Sequence, residues 1–212
     1  MVRILVLKRL YNLSDEQMEY QLLDRMSYKR FCGLDDALRV PDRTTIWHFE
    51  NRVGQAGAQA LFGEMAEQLA RKGFIARGGQ IIDATLVKAP VQRNSRQENE
   101  QVRQGNEPED WSDAKRRQKD VDASWTKKNG KSHFGYKLSV NVDGRYKLIR
   151  RVETDTARVH DSRHAKGLLD ERNTARMVYA DKAYSSQALR AELKDRGLRD
   201  GILKRAGKSK AL

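Results

Sequence analysis

The chain has a single cysteine, no long apolar run, and too few acids to balance its bases. With Cys32 alone, an intramolecular disulfide and any cysteine cage around zinc are excluded. A lone thiol of this kind reads as a small buried apolar residue. The apolar stretch near the N-terminus, Ile4-Leu5-Val6-Leu7, is too short to span a bilayer or to form the core of a signal peptide. A cytoplasmic protein with no membrane partner is therefore expected. Asp and Glu number 29 against 42 Lys and Arg, which gives a formal net charge of +13 and a pI near 9.9. That excess predicts a polyanionic partner, nucleic acid first, because cations that neutralise phosphates release condensed counterions.

What is present suits a folded chain. At 212 residues it fits one substantial domain and a small appendage. Hydrophobic residues make up 38 % and charged residues 33 %, and the mean hydropathy is −0.83, so the composition is globular but polar.

Residues 1–75 read as a helical module. Ser14-Asp15-Glu16-Gln17 has the form of a capping box, and Met18, Leu22, Leu23 and Met26 follow on one side of the helix it starts. Pro41-Asp42-Arg43-Thr44-Thr45 is a second start signal, with Ile46, Phe49 and Val53 at helical spacing. Leu61, Met65 and Leu69 mark a third helix ending near Gly73. Such a module is either helix-turn-helix-like and DNA-binding or a bundle that caps a catalytic domain or mediates dimer contacts.

From residue 79 the period changes to two. Ile81-Ile82 begins a strand, residues 134–142 alternate, and Asp143-Gly144 is a hairpin signal before a strand over 146–152. A helix is expected over Asp161 to Glu171, a buried strand over Met177 to Ala180, a helix over Ser185 to Arg196, and a last strand from Asp200. The segment 91–130 is a polar insertion without apolar periodicity. It reads as a mobile arm with solvated charges, or as a DNA-contacting arm in which Trp111 and Trp125 stack on bases.

Two aspartates carry the chemistry. Asp83 follows Ile81-Ile82 and Asp181 follows Met177-Val178-Tyr179-Ala180, each where an apolar run stops. Two-metal phosphoryl transfer needs carboxylates from separate strands at one point, holding ions about 3.5 to 4 Å apart. Hard oxygen ligands suit Mg²⁺ or Mn²⁺. Lys131, His133 and Lys137 on the second strand, and Lys88 and Lys182 near the aspartates, are candidate DNA contacts. The alternative for the second strand is that Phe134, Tyr136 and Leu138 form one packed face while the polar residues meet solvent. Asp161 reads as a helix N-cap before it reads as a ligand, and Tyr184 as either packing or DNA contact. Ala206-Gly207-Lys208-Ser209 lacks the upstream glycine of a phosphate loop.

The wording around these residues resembles a known family. Asp83-Ala84-Thr85, Lys131-Ser132-His133-Phe134-Gly135-Tyr136-Lys137, Val159-His160-Asp161-Ser162 and Ala180-Asp181-Lys182-Ala183-Tyr184 resemble DDE transposases of bacterial insertion sequences, the insertion-sequence-five group in particular. Residues 9–17 and 40–47 resemble that group's N-terminal helical domain. The resemblance implies an α/β fold, a helical module over 1–75 followed by a ribonuclease-H-like mixed sheet with flanking helices over 76–212. It implies Asp83 and Asp181 as the first two acids of the triad, two Mg²⁺ or Mn²⁺ ions, and DNA as partner, both terminal inverted repeats and target. It also implies a homo-oligomer on DNA and a nucleoid-associated location. The third acid of such a site lies in an Arg-Val-Glu-type motif, which is not found here, so a truncated copy is expected, inactive or nearly so. The alternative is a non-catalytic DNA-binding remnant that occupies element ends or inhibits intact transposase.

Overall fold

The computed structural model describes residues 1–74, 76–128 and 130–204, and the chain divides into two compact units, Met1–Lys72 and Gly73–Leu212. The basic run expected as a tail beyond Lys204 lies outside the described residues.

The first unit is helical. It comprises α1 (Val2–Leu10), α2 (Asp15–Asp24), α3 (Met26–Cys32) and α4 (Arg43–Arg71). The capping box forms as its sequence requires. Ser14 Oγ accepts from Gln17 N at 3.1 Å, and Gln17 Oε1 accepts from Ser14 N at 2.9 Å. Asp42 caps α4 through Thr45 N at 2.6 Å. Ile4, Leu7, Met18, Leu22, Tyr28 and Ile46 form the core, with Cys32 packed at its margin. Burial raises the pKa of the Cys32 thiol, with the N-terminal charge and Arg3 opposing. Lys8 is also buried, and its Nζ bonds Asp15 at 2.6 Å and Glu50 at 2.5 Å, which satisfies the charge taken from water. The sequence suggests two helices across residues 43–73. The structure has two helical segments there, joined within α4 by a kink at Gly54, where φ is 51° and ψ −162°, a conformation that glycine adopts most easily. Beyond the break, Leu61 and Met65 are exposed rather than packed.

The second unit is mixed α/β. Its strands are β1 (Gln80–Lys88), β2 (Ser124–Lys128), β3 (Lys131–Asp143), β4 (Ile149–Thr156), β5 (Met177–Ala180) and β6 (Arg199–Ile202). Its helices are α5 (Arg96–Arg103), α6 (Asp113–Gln118), α7 (Ala165–Leu168) and α8 (Gln187–Asp195). They build one curled six-stranded sheet in the order β2-β3-β1-β5-β6, with β4 also on β3. β1–β3, β2–β3 and β3–β4 are antiparallel; β1–β5 and β5–β6 are parallel. The expected helix over 161–171 is shorter, a 3-10 turn Asp161–Arg163 followed by the four residues of α7.

One sheet face is covered. Ile82, Val178, Ala180 and Ile202 pack with Ala165, Leu168, Leu169, Tyr184, Leu189 and Leu193. From Lys137 onward the polar residues of β3 lie on this covered face, not in solvent: Ser139 and Asn141 are fully buried, Asp143 nearly so. They stay inside because each is bonded. Asn141 Nδ2 donates to Gln80 Oε1 at 2.6 Å and to the Leu168 carbonyl at 2.5 Å. Gln80 Nε2 donates to the Asp170 carbonyl and its Oε1 accepts from Asp170 N, both at 2.8 Å. Buried polar groups persist where hydrogen bonds replace the lost water. The apolar alternates Tyr136, Leu138, Val140 and Val142 are half-buried on the opposite face.

Candidate metal site and nucleic-acid surface

Asp83 and Asp181 are brought together by strand register. β1 and β5 run parallel, and their last paired residues are Ile82 and Ala180. The two aspartates occupy the next position on each neighbouring strand. Side chains alternate, so burial of Ile82 and Ala180 turns both carboxyls outward, and both residues are exposed. Asp181 sits at its strand end as expected, and its Oδ1 caps the 3-10 turn Lys182–Tyr184 by accepting from Ala183 N at 2.8 Å. Asp83 lies mid-strand, because β3 is long enough to pair β1 through to Lys88. Its Oδ1 accepts from Ala84 N at 2.7 Å. The second oxygen of each carboxylate takes no hydrogen bond or ion pair among the described residues.

Two further groups border this pair. Tyr184 is 1 % exposed, and its hydroxyl has no hydrogen-bond partner among the described residues. Burial raises its pKa far above the ordinary phenol range, and the carboxylates of Asp161, Asp83 and Asp181 add to the effect. The phenol is thus a neutral donor within electrostatic reach of three acids. Asp161 is not the N-cap: the His160 side chain caps the turn, and Asp161 pairs with Lys137 Nζ at 2.5 Å. Beside it, Ser139 Oγ bonds His164 Nδ1 at 2.8 Å, and His164 Nε2 lies 3.3 Å from Asp155 Oδ2.

The candidate DNA contacts scatter. Lys137 is 9 % exposed, and its ammonium is engaged by Asp161 and the Val159 carbonyl, so it is committed within the fold rather than offered to phosphate. Lys88, Lys131 and Lys182 are exposed, and His133 is half-buried. Lys88 ends β1 opposite Gly135, which separates it from Lys131 at the start of β3.

The insertion is more ordered than its composition suggests. Ser95 and Glu98 form a second capping box at α5, with Ser95 Oγ accepting from Glu98 N at 3.1 Å and Glu98 Oε2 from Ser95 N at 2.6 Å. Ser112 caps α6. Trp111 is buried and donates from Nε1 to Glu98 Oε1 at 2.6 Å. Lys115 and Lys119 lie over its ring at 5.5 and 5.8 Å. Trp111 is thus a local core and has no free face for bases. The hydrogen bond from Lys115, then those of Ser95 N and Trp111, lower the Glu98 pKa to about 2. The Ser95-to-Glu98 spacing is the sequence signal that marks this helix.

The donor set fits a hard cation in part. Two outward carboxylates each keep an unshared oxygen, and Mg²⁺ is commonly held by one or two carboxylates with water completing its shell. Among the described residues no group of three or more His, Cys, Asp or Glu is arranged to hold a metal ion. Two of the three later acids are engaged elsewhere: Glu192 pairs with Lys166 at 3.0 Å and Arg196 at 2.7 Å, and Asp200 with Arg190 at 2.7 Å, while Asp195 is exposed in the last turn of α8. Among the described residues no helix is long and apolar enough to cross a membrane.

Comparison with known proteins gives two family matches. Residues 76–210 match the family described as Transposase DDE domain, and residues 1–52 match Transposase domain (DUF772). No solved structure matches the chain. Transposases act on DNA, and the DDE family works with divalent metal ions. The first match spans well over half of the chain and covers the whole sheet with both aspartates, so the protein belongs to the Transposase DDE domain family.

Proposed function

We propose that the protein is a transposase of the insertion-sequence-five group, in which Asp83 and Asp181 hold a divalent cation, Mg²⁺ or Mn²⁺, at the DNA backbone. The observation that carries this reading is the β1–β5 register, which sets the two aspartates side by side with an unshared oxygen each. The sheet order, three antiparallel strands extended by parallel β5 and β6, supports a ribonuclease-H-like domain over 76–212. The helical module, residues 1–75, serves DNA binding.

In the reaction water cleaves a phosphodiester at each element end, and the freed 3′-OH then attacks a phosphodiester of target DNA, whose own 3′-oxygen leaves as that bond breaks. A divalent cation held by Asp83 and Asp181 would supply Lewis acidity for that chemistry. The chain's own part is positional. Asp83 and Asp181 are held by backbone amides at Ala84 and Ala183, so their free oxygens are fixed before any ligand arrives. Lys182 is one residue from Asp181 and exposed, beside the path of the phosphate backbone. Tyr184 is buried close to Asp181 in sequence, and the carboxylates of Asp83 and Asp181 both act on its phenol.

A second reading is a non-catalytic DNA-binding protein. It is favoured by the partners of other acids: Asp161, Glu192 and Asp200 are each tied to a cation of the fold. One assay separates the two. Purified protein is incubated with plasmid DNA carrying the sequences that flank its gene, in Mg²⁺ or Mn²⁺. Cleavage at defined ends that disappears in both Asp83→Asn and Asp181→Asn supports the enzyme. Binding to those ends without cleavage supports the second reading, and cleavage that survives both substitutions refutes the assignment of the two aspartates.

A further inference from the structure

The excess charge is unevenly spread. Residues 1–72 hold 11 Lys and Arg against 10 Asp and Glu, and residues 73–212 hold 31 against 19. The excess therefore lies almost wholly in the second unit. The hairpin of β2 and the start of β3, residues 124–137, contains no carboxylate. Lys127, Lys128 and Lys131 on it are exposed, and none has an ion-pair partner among the described residues.

The register sets these cations on both sides of the ribbon. Trp125 is paired with Phe134 and Lys127 with Ser132, on one face; Thr126 is paired with His133 and Lys128 with Lys131, on the other. At the base Trp125 remains 49 % exposed while its ring lies 5.3 Å from that of Phe134. The base is tied to the sheet. Thr156 Oγ1 donates to Ser124 Oγ, which also accepts from Arg158 N at 2.9 Å, and Tyr136 Oη donates to Asp120 at 2.5 Å.

We propose that this β2–β3 hairpin is an arm that lies in the major groove of duplex DNA, with Lys127 on one face and Lys128 and Lys131 on the other contacting the two flanking phosphate backbones. The proposal rests on the DNA-processing role given above. A two-stranded ribbon fits a major groove about 12 Å wide, and a ribbon so placed faces a phosphate strand on each side. Cations on both faces suit that position; a ribbon lying flat on DNA needs them on one. The contacts are to phosphate, so the arm positions DNA without selecting sequence. Lysines on an edge strand also deter pairing between chains, but that role explains neither the exposed Trp125 nor the absence of any acid.

The test measures binding of the full chain to a random-sequence duplex by fluorescence anisotropy between 50 and 200 mM salt, roughly the range over which phosphate contacts are read. Three variants are compared: wild type, Lys127→Ala/Lys128→Ala/Lys131→Ala, and a control of equal charge, Lys72→Ala/Lys194→Ala/Lys204→Ala, whose lysines are exposed elsewhere. Circular dichroism confirms that each is folded. Each lost phosphate contact lowers the slope of log K against log salt by about 0.9. The hairpin variant is expected to lose about 2 to 3 in slope, and roughly a hundredfold or more in affinity near 0.1 M salt. The control is expected to keep most of its slope. Equal loss in both variants overturns the arm in favour of net charge. An unchanged hairpin variant beside a binding wild type overturns the arm and leaves the transposase reading standing, as does a variant that only aggregates. A wild type that binds no duplex overturns both.

Discussion

Replacing Asp143 with alanine removes the acceptor that holds three chain segments together. Asp143 ends β3 and is 1 % exposed. Its Oδ1 accepts from Arg77 N at 2.6 Å, and its Oδ2 from Tyr146 N at 2.6 Å and Arg145 N at 3.2 Å. Asn173 Nδ2 adds a longer contact at 3.4 Å. The carboxylate thus fixes the approach to β1, the β3–β4 turn and the segment before β5. Hydrogen bonds to a charged group are worth about 1.5 to 3 kcal/mol each, and a donor left unsatisfied costs about 1 to 3 kcal/mol. Here the donors belong to residues partly reached by water, which offsets some of the loss, so Asp143→Ala is expected to cost about 2 to 4 kcal/mol. Asp143→Asn keeps one acceptor oxygen and is expected to cost about half as much. Urea unfolding followed by circular dichroism measures both, with an unchanged m-value as the check that stability alone has moved. A loss below about 0.5 kcal/mol for Asp143→Ala would refute the reasoning, since it falls within the range of ordinary surface changes.

Two further outcomes follow from the electrostatics and packing around the site and the insertion. Tyr184→Phe deletes a buried hydroxyl that has no partner among the described residues, so urea unfolding should show unchanged or slightly higher stability; a loss beyond about 1 kcal/mol would reveal a bond to a residue outside them. Glu98 is held ionised well below its usual range, to a pKa of about 2, chiefly by Lys115. A depressed carboxyl contributes order that is fully present above its unfolded value near 4.3 and is lost as pH falls towards the folded one. Trp111 fluorescence should therefore change between about pH 4.3 and pH 2, and Glu98→Gln should abolish that change; an identical acid transition in the variant would contradict the assignment.

The sequence was legible where one period dominated. Alternation marked β1 and β3, the short apolar run marked β5, and Ser14 to Gln17 announced α2. The faces of β3 were not legible, because apolar alternation picked Tyr136 and Leu138 as the packed side. Hydrogen bonds of Asn141 to Gln80 and the Leu168 carbonyl, and of Ser139 to His164, instead make Ser139 and Asn141 the buried side. That pairing depends on residues far along the chain and leaves no periodic trace. The insertion failed differently: its helices are polar and held by caps and the Trp111–Glu98–Lys115 cluster, so a search for apolar period passes over them. Asp83 and Asp181 could be picked out singly, each at the end of an apolar run. Their adjacency is expected from a ribonuclease-H-like strand order, and the parallel pairing of β1 with β5 sets them at neighbouring positions. The commitment of Lys137 to Asp161 appears only once the turn at Asp161 is folded over β3.

The claim that Asp83 and Asp181 form one cation site is tested most directly by titrating the protein with Mn²⁺ and counting bound ions by electron paramagnetic resonance. The account predicts a site lost in Asp83→Asn and equally lost in Asp181→Asn, with the double variant no worse than either, because both oxygens serve one ion. Mn²⁺ binding unchanged by both substitutions, or independent additive losses, would contradict it.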